Sequence, residues 1–472
     1  MGISKLIATA YRRFLPSPLA IAILLTALTV VLALAFGRFE AEGNALVQVL
    51  DAWEKGLWNR DLLVFAYQMM LILVLGHVLV LSRPAGRLIN RLTSGIHSNA
   101  QAAVIVGIST MLVAFFNWGL GLIFGAILAR KVGEAAHEKG LSINYPLIGA
   151  CGYLGLMVWH GGISGSAPIK ASEAGHVAAL LSQNTGLAAF ADLPSSISTS
   201  ATIFSIQNLL IFAAVLTVCG LVAYTLGKRD TPSAGTAAWF AGGEPGSRHI
   251  SAAENASPVK NPQAGGAERI DRSPFVATGF ALLIFGAFLL QYLPALRSLN
   301  LNPDMLNLFM LGLAVLLHGS LANFGKAVEE AIGDTSGILI QFPLYFGIMG
   351  IMNNCGLVEQ ISDLFVQWGT PGSLPILTFF SAGLVNIFVP SGGGQWAVQG
   401  PIFLEAALKL DIPLSKALMA LAYGDQLTNM LQPFWALPLL GITRLKAREI
   451  LPYSLIFMLA GGSIYLLGLL LW

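Results

Sequence analysis

Apolar runs recur along the whole chain, at about 17–37, 60–82, 101–130, 145–182, 203–226, 274–294, 305–322, 335–353, 374–408, 416–440 and 451–471. An α-helix needs about 20 apolar residues to cross the ~30 Å hydrocarbon layer of a bilayer. Most of these runs meet that length, but four carry polar interruptions. Run 101–130 holds Asn117-Trp118-Gly119, and run 374–408 holds Pro390-Ser391-Gly392-Gly393-Gly394-Gln395. Run 145–182 is broken by His160-Gly161-Gly162-Ile163-Ser164-Gly165-Ser166. Run 416–440 is broken from Tyr423-Gly424-Asp425-Gln426 through Thr428, Asn429 and Gln432-Pro433. Proline and successive glycines do not belong in a continuous helix interior. The pattern predicts two re-entrant hairpins, 101–130 and 374–408, each made of half-helices with a polar tip at mid-membrane. It also predicts two broken transmembrane helices, 145–182 and 416–440.

Lysine and arginine mark cytoplasmic loops. Arg12 and Arg13 put the N-terminus inside, and Arg83, Arg87 and Arg91 follow inside after two spans. Arg130, Lys131 and Lys139 are also inside only if 101–130 re-enters. Segment 354–373 has Glu359 and Asp363 and no Lys or Arg, so it is outside, and Arg444, Lys446 and Arg448 return inside. The expectation is an all-α polytopic membrane protein with about nine spans and its C-terminus outside. The two hairpins then open to opposite sides. Asn117/Asn386 and Gly125/Gly394 are 269 positions apart, Tyr153/Tyr423 and Pro168/Pro438 are 270 apart, and Gln68/Gln341 are 273 apart. Together these suggest an inverted repeat, a mark of secondary transporters. Residues 1–227 form the first repeat and 303–472 the second, joined by 228–302. Within the joint, 228–273 reads as a flexible cytoplasmic linker and 274–294 as a connecting transmembrane helix. Segment 44–58 reads as an interfacial helix with Leu46, Val47, Leu50, Trp53 and Leu57 on one face.

Composition closes off other classes. Charged residues make up 11% of the 472, hydrophobic residues 55%, and mean hydropathy is +0.72. A soluble domain carries about 25% charge, so a soluble enzyme and a disordered chain are excluded. A net charge of +2 provides no basic face for nucleic acid. Cys151, Cys219 and Cys355 are too few for a disulfide framework and read as packing residues. Lys5, Arg12 and Arg13 before the run from Leu19 to Phe36 imitate a signal peptide, with Ala33-Leu34-Ala35 as a cleavage site. That run is too long for a signal core and has a later counterpart, so it is expected to stay as a helix.

Backbone freed from helical bonds inside a bilayer must line a cavity or be buried in protein. Half-helix N-termini aimed at one point offer unpaired N–H groups and positive dipole ends, an anion site without a fixed cation. Neither tip nor the fourth interruption carries Arg or Lys, and Lys170 is an ambiguous neighbour. A tricarboxylate would need more positive compensation, so the preferred ligand is a small monoanion with an apolar body. Trp118, Trp159 and Trp396 beside the tips are candidates to enclose that body. Asp425 is an acid inside a span, and such residues mark function. It binds a coupling proton, helps hold Na⁺, or only braces the broken helix. The glycines of the tips, and Gly121 and Gly125, also suit close helix packing. His77 and His318 read as packed histidines, whereas His160 stays open. Gly162-Ile163-Ser164-Gly165 has the Gly-x-Ser-Gly spacing of intramembrane serine proteases, which need a base beside the serine. An anion channel is a further alternative. There is no H-E-x-x-H zinc spacing and no P-loop.

At these residues the chain resembles, nearly end to end, the bacterial short-chain fatty acid transporter family. The likeness is densest at Asn117 to Leu122, at Gly161 to Ser166, at Val389 to Gly394 with Trp396, and at Gln432-Pro433-Phe434-Trp435-Ala436-Leu437-Pro438. The resemblance implies uptake of butyrate- and acetoacetate-like acids across the bacterial inner membrane. Likeness to a wider ion-transporter superfamily implies hairpin tips and broken helices around the substrate. It also implies an elevator motion against a homodimer scaffold. The chain departs from the family pattern at His160 (usually glycine), Gln395 (usually histidine) and Asp425 (usually glutamate), which leaves substrate choice and coupling ion open. The expected substrate contacts are Asn117, Trp118, Gly119, Ser164, Gly165, Ser166, Asn386, Ser391, Gly392, Gly393, Gly394, Gln395 and Trp396. Asp425, Gln426, Thr428, Asn429 and Gln432 are expected to serve coupling or second-site support. A Na⁺ site is placed near Asn117, Asn386 and Asp425, with H⁺ as the other candidate ion. No catalytic residue, cofactor or nucleic-acid partner is expected; the partners are a monocarboxylate, membrane lipid and a second copy of the chain.

Overall fold

The computed structural model describes residues 16–39, 43–82, 84, 87, 95–182, 194–229, 266, 268–297 and 303–472. Arg12, Arg13, Arg83 and Arg91, used in the sidedness argument, Lys5, and most of the expected 228–273 linker lie outside them. Among the described residues every regular element is helical. The first half holds α1 (Pro18–Phe36), α2 (Ala45–Leu57), α3 (Arg60–Leu81), α4 (Asn99–Phe116), α5 (Trp118–Glu138), α6 (Tyr145–Tyr153), α7 (Ser166–Ser172), α8 (His176–Ser182) and α9 (Ile206–Arg229). Then come α10 (Pro274–Arg297), α11 (Pro303–His318), α12 (Leu321–Ala331), α13 (Ser336–Asn354) and α14 (Leu357–Gln367). The last part holds α15 (Leu374–Phe388), α16 (Gly392–Lys409), α17 (Leu414–Thr428), α18 (Pro433–Thr443) and α19 (Ala447–Leu471). Polar residues set several of the starts. Ser17, Asn59, Ser98 and Asn144 each accept an amide N–H from the first turn of the helix that follows.

Among the described residues, seven helices, α1, α3, α4, α9, α10, α13 and α19, are long and apolar enough to cross a membrane. An eighth crossing results if α11 and α12, bent by 120° at their junction, count as one. The expectation of about nine treats α4 as a hairpin arm and adds the two broken helices, whose pieces are individually too short. Lipid-facing surface is evident on α10, where Phe275 and Leu290 are 88% and 86% exposed. By contrast, every residue from Ala417 to Leu427 of α17 is buried.

Hydrogen bonds gather the loops into two faces. On the first, Asn99 at the start of α4 donates to Gly227 O at the end of α9 (2.9 Å) and accepts from Asn144 N before α6 (2.9 Å). Asn144 in turn donates to Tyr453 Oη early in α19 (2.7 Å), and Arg130 of α5 donates to Ile442 O at the end of α18 (3.0 Å). Leu81, ending α3, shares a small cavity with Arg130, Lys131 and Ile442, and Ile96 before α4 shares one with Lys139 after α5. So α4 and α5 begin and end on the same face. The other face holds the far end of α19. There Arg38 N donates to Cys355 O (2.9 Å), joining the ends of α1 and α13, and Lys416 at the start of α17 donates to Trp472 O (3.0 Å).

Both predicted hairpins are helix–break–helix units. The first reverses at Asn117, so that Gly121 meets Ala114 and Gly125 meets Thr110 across the arms. The second reverses at Val389–Ser391, with Gln395 Nε2 donating to Ala382 O (2.8 Å) and Gln399 Nε2 to Ser381 Oγ (3.1 Å). Three boundaries differ from expectation. Gly392, Gly393 and Gly394 open α16 instead of forming loop, because Ser391 caps the helix from outside. Tyr423 to Thr428 stay helical, and the break falls at Asn429–Gln432. Pro433 explains this: it lacks an amide donor and steers Gln432 away from helical dihedrals. Gly424 does not break α17; it lets the helix lie directly on the Phe379 carbonyl of α15. Finally, 145–182 is interrupted twice, at 158–165 and again before α8, where Gly175 adopts φ +79°. The segment 44–58 does form a helix, α2. Its Gly56 backs onto Gly347 and Gly350 of α13, while Leu46, Val47 and Leu50 are exposed.

Candidate functional site

The first tip is fastened to the first break. Asn117 ends α4 and caps α5: it is extended (φ −150°, ψ 123°), and its Oδ1 accepts Leu120 N–H at 2.9 Å. The next amide, Trp118 N–H, donates to Ser164 Oγ (2.9 Å), and Ile163 N–H donates to Phe115 O (2.8 Å). Trp118 also heads an aromatic cluster with Phe65, Trp159 and Trp435, with ring centroids 5.3–6.1 Å apart. Gly119 and Gly165 lie beside these contacts, Gly165 as the residue before α7.

The second tip reaches the same break from the other side. Ser391 Oγ accepts Gly394 N–H (3.2 Å), leaving Gly392 N–H and Gly393 N–H without an acceptor among the described residues. Gly392 packs so closely that a Cβ there would come within 2.8 Å of His160 Cε1 and Trp159 Cη2. A Cβ on Gly393 would meet only Ser166 Cβ, at 3.9 Å, so room remains between this tip and the start of α7. The free Gly393 amide, at the positive end of the 18-residue α16, therefore lies beside the half-buried Ser166. Lys170 does not join them. It is exposed and pairs with Glu173 at 3.0 Å.

The second break forms a buried polar network. Asn386 Nδ2 donates to Asp425 O (2.9 Å), Thr428 Oγ1 (2.9 Å) and Asn429 Oδ1 (2.7 Å). Gln432 Nε2 donates to the carbonyls of Asn386 (2.6 Å) and Ile387 (2.8 Å). Gln426 Oε1 accepts the amides of His160 (2.8 Å) and Gly161 (3.0 Å), so this network also grips the first break. Three tyrosines add to that grip. Tyr153 Oη donates to the carbonyls of Asn429 and Gln432, Tyr423 Oη to Asn208 Oδ1, and Tyr465 Oη to Met157 O. Asn386 Oδ1, Asp425 Oδ1, Gln395 Oε1 and Trp159 Nε1 are buried and without a partner. Buried polar atoms are normally paired; orphans also occur away from this network, at Trp53 Nε1, Thr110 Oγ1 and Ser454 Oγ among others.

His160 was left open by its sequence, and the structure gives it a definite place. It is fully buried, and its Nδ1 lies 2.5 Å from Asp425 Oδ2. Its Nε2 accepts Ala167 N–H at 3.0 Å, which assigns the ring proton to Nδ1. With both nitrogens engaged, His160 is no base for Ser164, and Ser164 Oγ itself holds the first tip. Two expected contacts have their donors engaged within the protein: Trp396 Nε1 donates to His176 Nε2 (3.1 Å), and Gln395 Nε2 donates inside the second hairpin. Asn117 belongs to the first tip, whereas Asn386 and Asp425 share the second network. Asn208, Tyr153 and Tyr465 were not marked as site-builders by the sequence, and His160 and Tyr423 lay in marked interruptions without an assigned role.

The profile of the family described as "Short chain fatty acid transporter" matches residues 1–472. The chain belongs to the short-chain fatty acid transporter family. It is 33% identical over 477 residues to a protein of Escherichia coli K12 named "Putative short-chain fatty acid transporter", covering 100% of this chain and 99% of that one. A Haemophilus influenzae protein of the same name is 32% identical, covering 99% and 98%. Among solved structures, the YdaH transporter of Alcanivorax borkumensis matches with TM-score 0.44 and 17% identity over 96% of this chain and 98% of that one. MtrF of Neisseria gonorrhoeae matches with TM-score 0.39 and 14% identity over 96% and 95%. Membership of this family makes the chain a multi-pass membrane transport protein and not an enzyme.

Proposed function

We propose that this transporter carries short-chain monocarboxylates of the butyrate and acetoacetate kind. The observation that supports this best is that Gly392 and Gly393, which open α16 with unpaired N–H groups, lie against His160 and Ser166 of the first break, with no lysine or arginine in hydrogen-bonding contact among the described residues. One carboxylate is matched by two or three neutral donors and a helix end, while a second or third carboxylate would lack compensation. The substrate-binding set is Asn117, Trp118, Gly119, Ser164, Gly165, Ser166, Asn386, Ser391, Gly392, Gly393, Gly394, Gln395 and Trp396. Some of these touch the substrate and others shape the tips. The rings of Trp118, Trp159 and Trp435 suit a short apolar tail.

Asp425, with Gln426, Thr428, Asn429 and Gln432, is proposed as the coupling site, binding H⁺ or Na⁺. The unpartnered oxygens Asp425 Oδ1 and Asn386 Oδ1 support that reading. The hairpins re-enter the membrane from opposite sides, and residues 1–227 and 303–472 form inverted repeats about the 228–302 joint. The protein works as an elevator in a homodimer of the bacterial inner membrane, with its N-terminus cytoplasmic and C-terminus periplasmic. Recurrence of hairpin, broken helix and final span in both halves supports the repeat. Labelled butyrate uptake into proteoliposomes tests the substrate assignment. Saturable uptake, competed by acetoacetate but not by citrate, is expected. Uptake no greater than in protein-free vesicles would reject it and turn attention to another small anion.

A further inference from the structure

His160 stands between the tip and the acid. Its imidazole stacks on Trp159 (ring centroids 4.5 Å apart, 12° between planes), and its Cε1 edge lies against Gly392. Its Nε2 takes the Ala167 amide of α7, and its Nδ1–H is given to Asp425 Oδ2. Ring and carboxylate are both buried, with 0% and 1% of their surface exposed. The ring has no slack. If Gly392 moves toward the break, Cε1 must move with it, and one of the two nitrogen contacts lengthens. If Asp425 changes its partner, the ring is released toward the tip. Packed, hydrogen-bonded side chains with two discrete arrangements carry coupling between sites.

We infer that His160 is the positioning residue that links anion occupancy at the Gly392 tip to ion occupancy at Asp425. This rests on the reading of Asp425 as the coupling site. The coupling acts in both directions, since any change that substrate makes in ion affinity is matched by the ion's change in substrate affinity. A link of this kind changes each affinity by about tenfold.

Two near-isosteric changes separate the two ring contacts. His160→Asn puts an amide N–H near the Nδ1 position and keeps the donor to Asp425, but loses the acceptor for Ala167. His160→Gln puts its carbonyl near the Nε2 position and keeps Ala167, but loses Asp425. The assay is butyrate accumulation in proteoliposomes under whichever of the H⁺ and Na⁺ gradients drives the wild type, with butyrate–butyrate exchange as the gradient-independent control. Asp425→Asn should abolish accumulation and keep exchange; accumulation intact in Asp425→Asn would reject the coupling-site reading itself. Given that loss, His160→Gln should also exchange without accumulating, while His160→Asn should keep most of the accumulation. Full accumulation in His160→Gln, or equal loss in both variants, would overturn the link. If neither His160 variant folds, Gly392→Ala decides, because its methyl presses on His160 Cε1. It should shift the ion concentration for half-maximal transport by severalfold, and an unchanged ion dependence would overturn the inference.

Discussion

Removing the Asn386 side chain should loosen the second break more than its small volume suggests. Asn386 is fully buried, and its Nδ2 serves three acceptors at once, Asp425 O, Thr428 Oγ1 and Asn429 Oδ1, at 2.7–2.9 Å. Each net hydrogen bond contributes about 1 kcal/mol, and a buried acceptor left unpaired costs about 1–3 kcal/mol. Thr428 Oγ1 recovers something by turning toward Asp425 O, now 3.5 Å away. Asn386→Ala should therefore cost about 2–4 kcal/mol. Asn386→Asp is nearly the same shape but should cost more, since it trades the donor for a buried acceptor facing two carbonyl-type oxygens. Thermal unfolding of the purified protein in detergent checks the order: wild type highest, Asn386→Ala lower, Asn386→Asp lowest. An aspartate variant as stable as wild type would refute the view that Asn386 braces the break as a donor.

Other outcomes follow from single contacts. Tyr153→Phe removes one hydroxyl that donates to both Asn429 O and Gln432 O, and should lower stability by about 1–2 kcal/mol in the same assay. Gly424→Val should be far more damaging, because the added atoms meet the Phe379 carbonyl; loss of a monodisperse peak in size-exclusion chromatography is the expected result. Trp159→Phe keeps the stack on His160 but shrinks the aromatic cluster offered to the apolar tail, and should raise the KM for butyrate severalfold in proteoliposome uptake.

Much of this architecture was legible in the sequence because bilayer physics leaves few options for polar backbone. Asn117 interrupting an apolar run of about 30 residues announced the first hairpin, and Pro390 the second. Boundaries were harder, since glycine has two meanings in a membrane helix. Gly424 and Gly392 to Gly394 read as breakers, yet they are helical and serve close approach or free amides. The true break in the last broken helix was encoded by Pro433, which acts on the residue before it. The site was legible as a set of segments but not as a set of partners. His160 and Asp425 are 265 residues apart, and Tyr423 and Asn208 are 215 apart. Only the folding of one half against the other decides which polar groups are consumed as struts. That is also why Trp396 and Gln395 looked like ligand contacts while their donors were committed to His176 and Ala382.

The central claim is that one carboxylate is held where the α16 amides face the first broken helix. An electron cryomicroscopy structure of the dodecylmaltoside-solubilised protein with saturating 4-bromobutyrate tests it most directly, the bromine marking the tail. The account predicts carboxylate density within about 3.2 Å of the Gly392 or Gly393 nitrogen, with the bromine toward Trp118, Trp159 and Trp435. Ligand density in another cavity, or a carboxylate paired with Arg130 or Lys131, would contradict it.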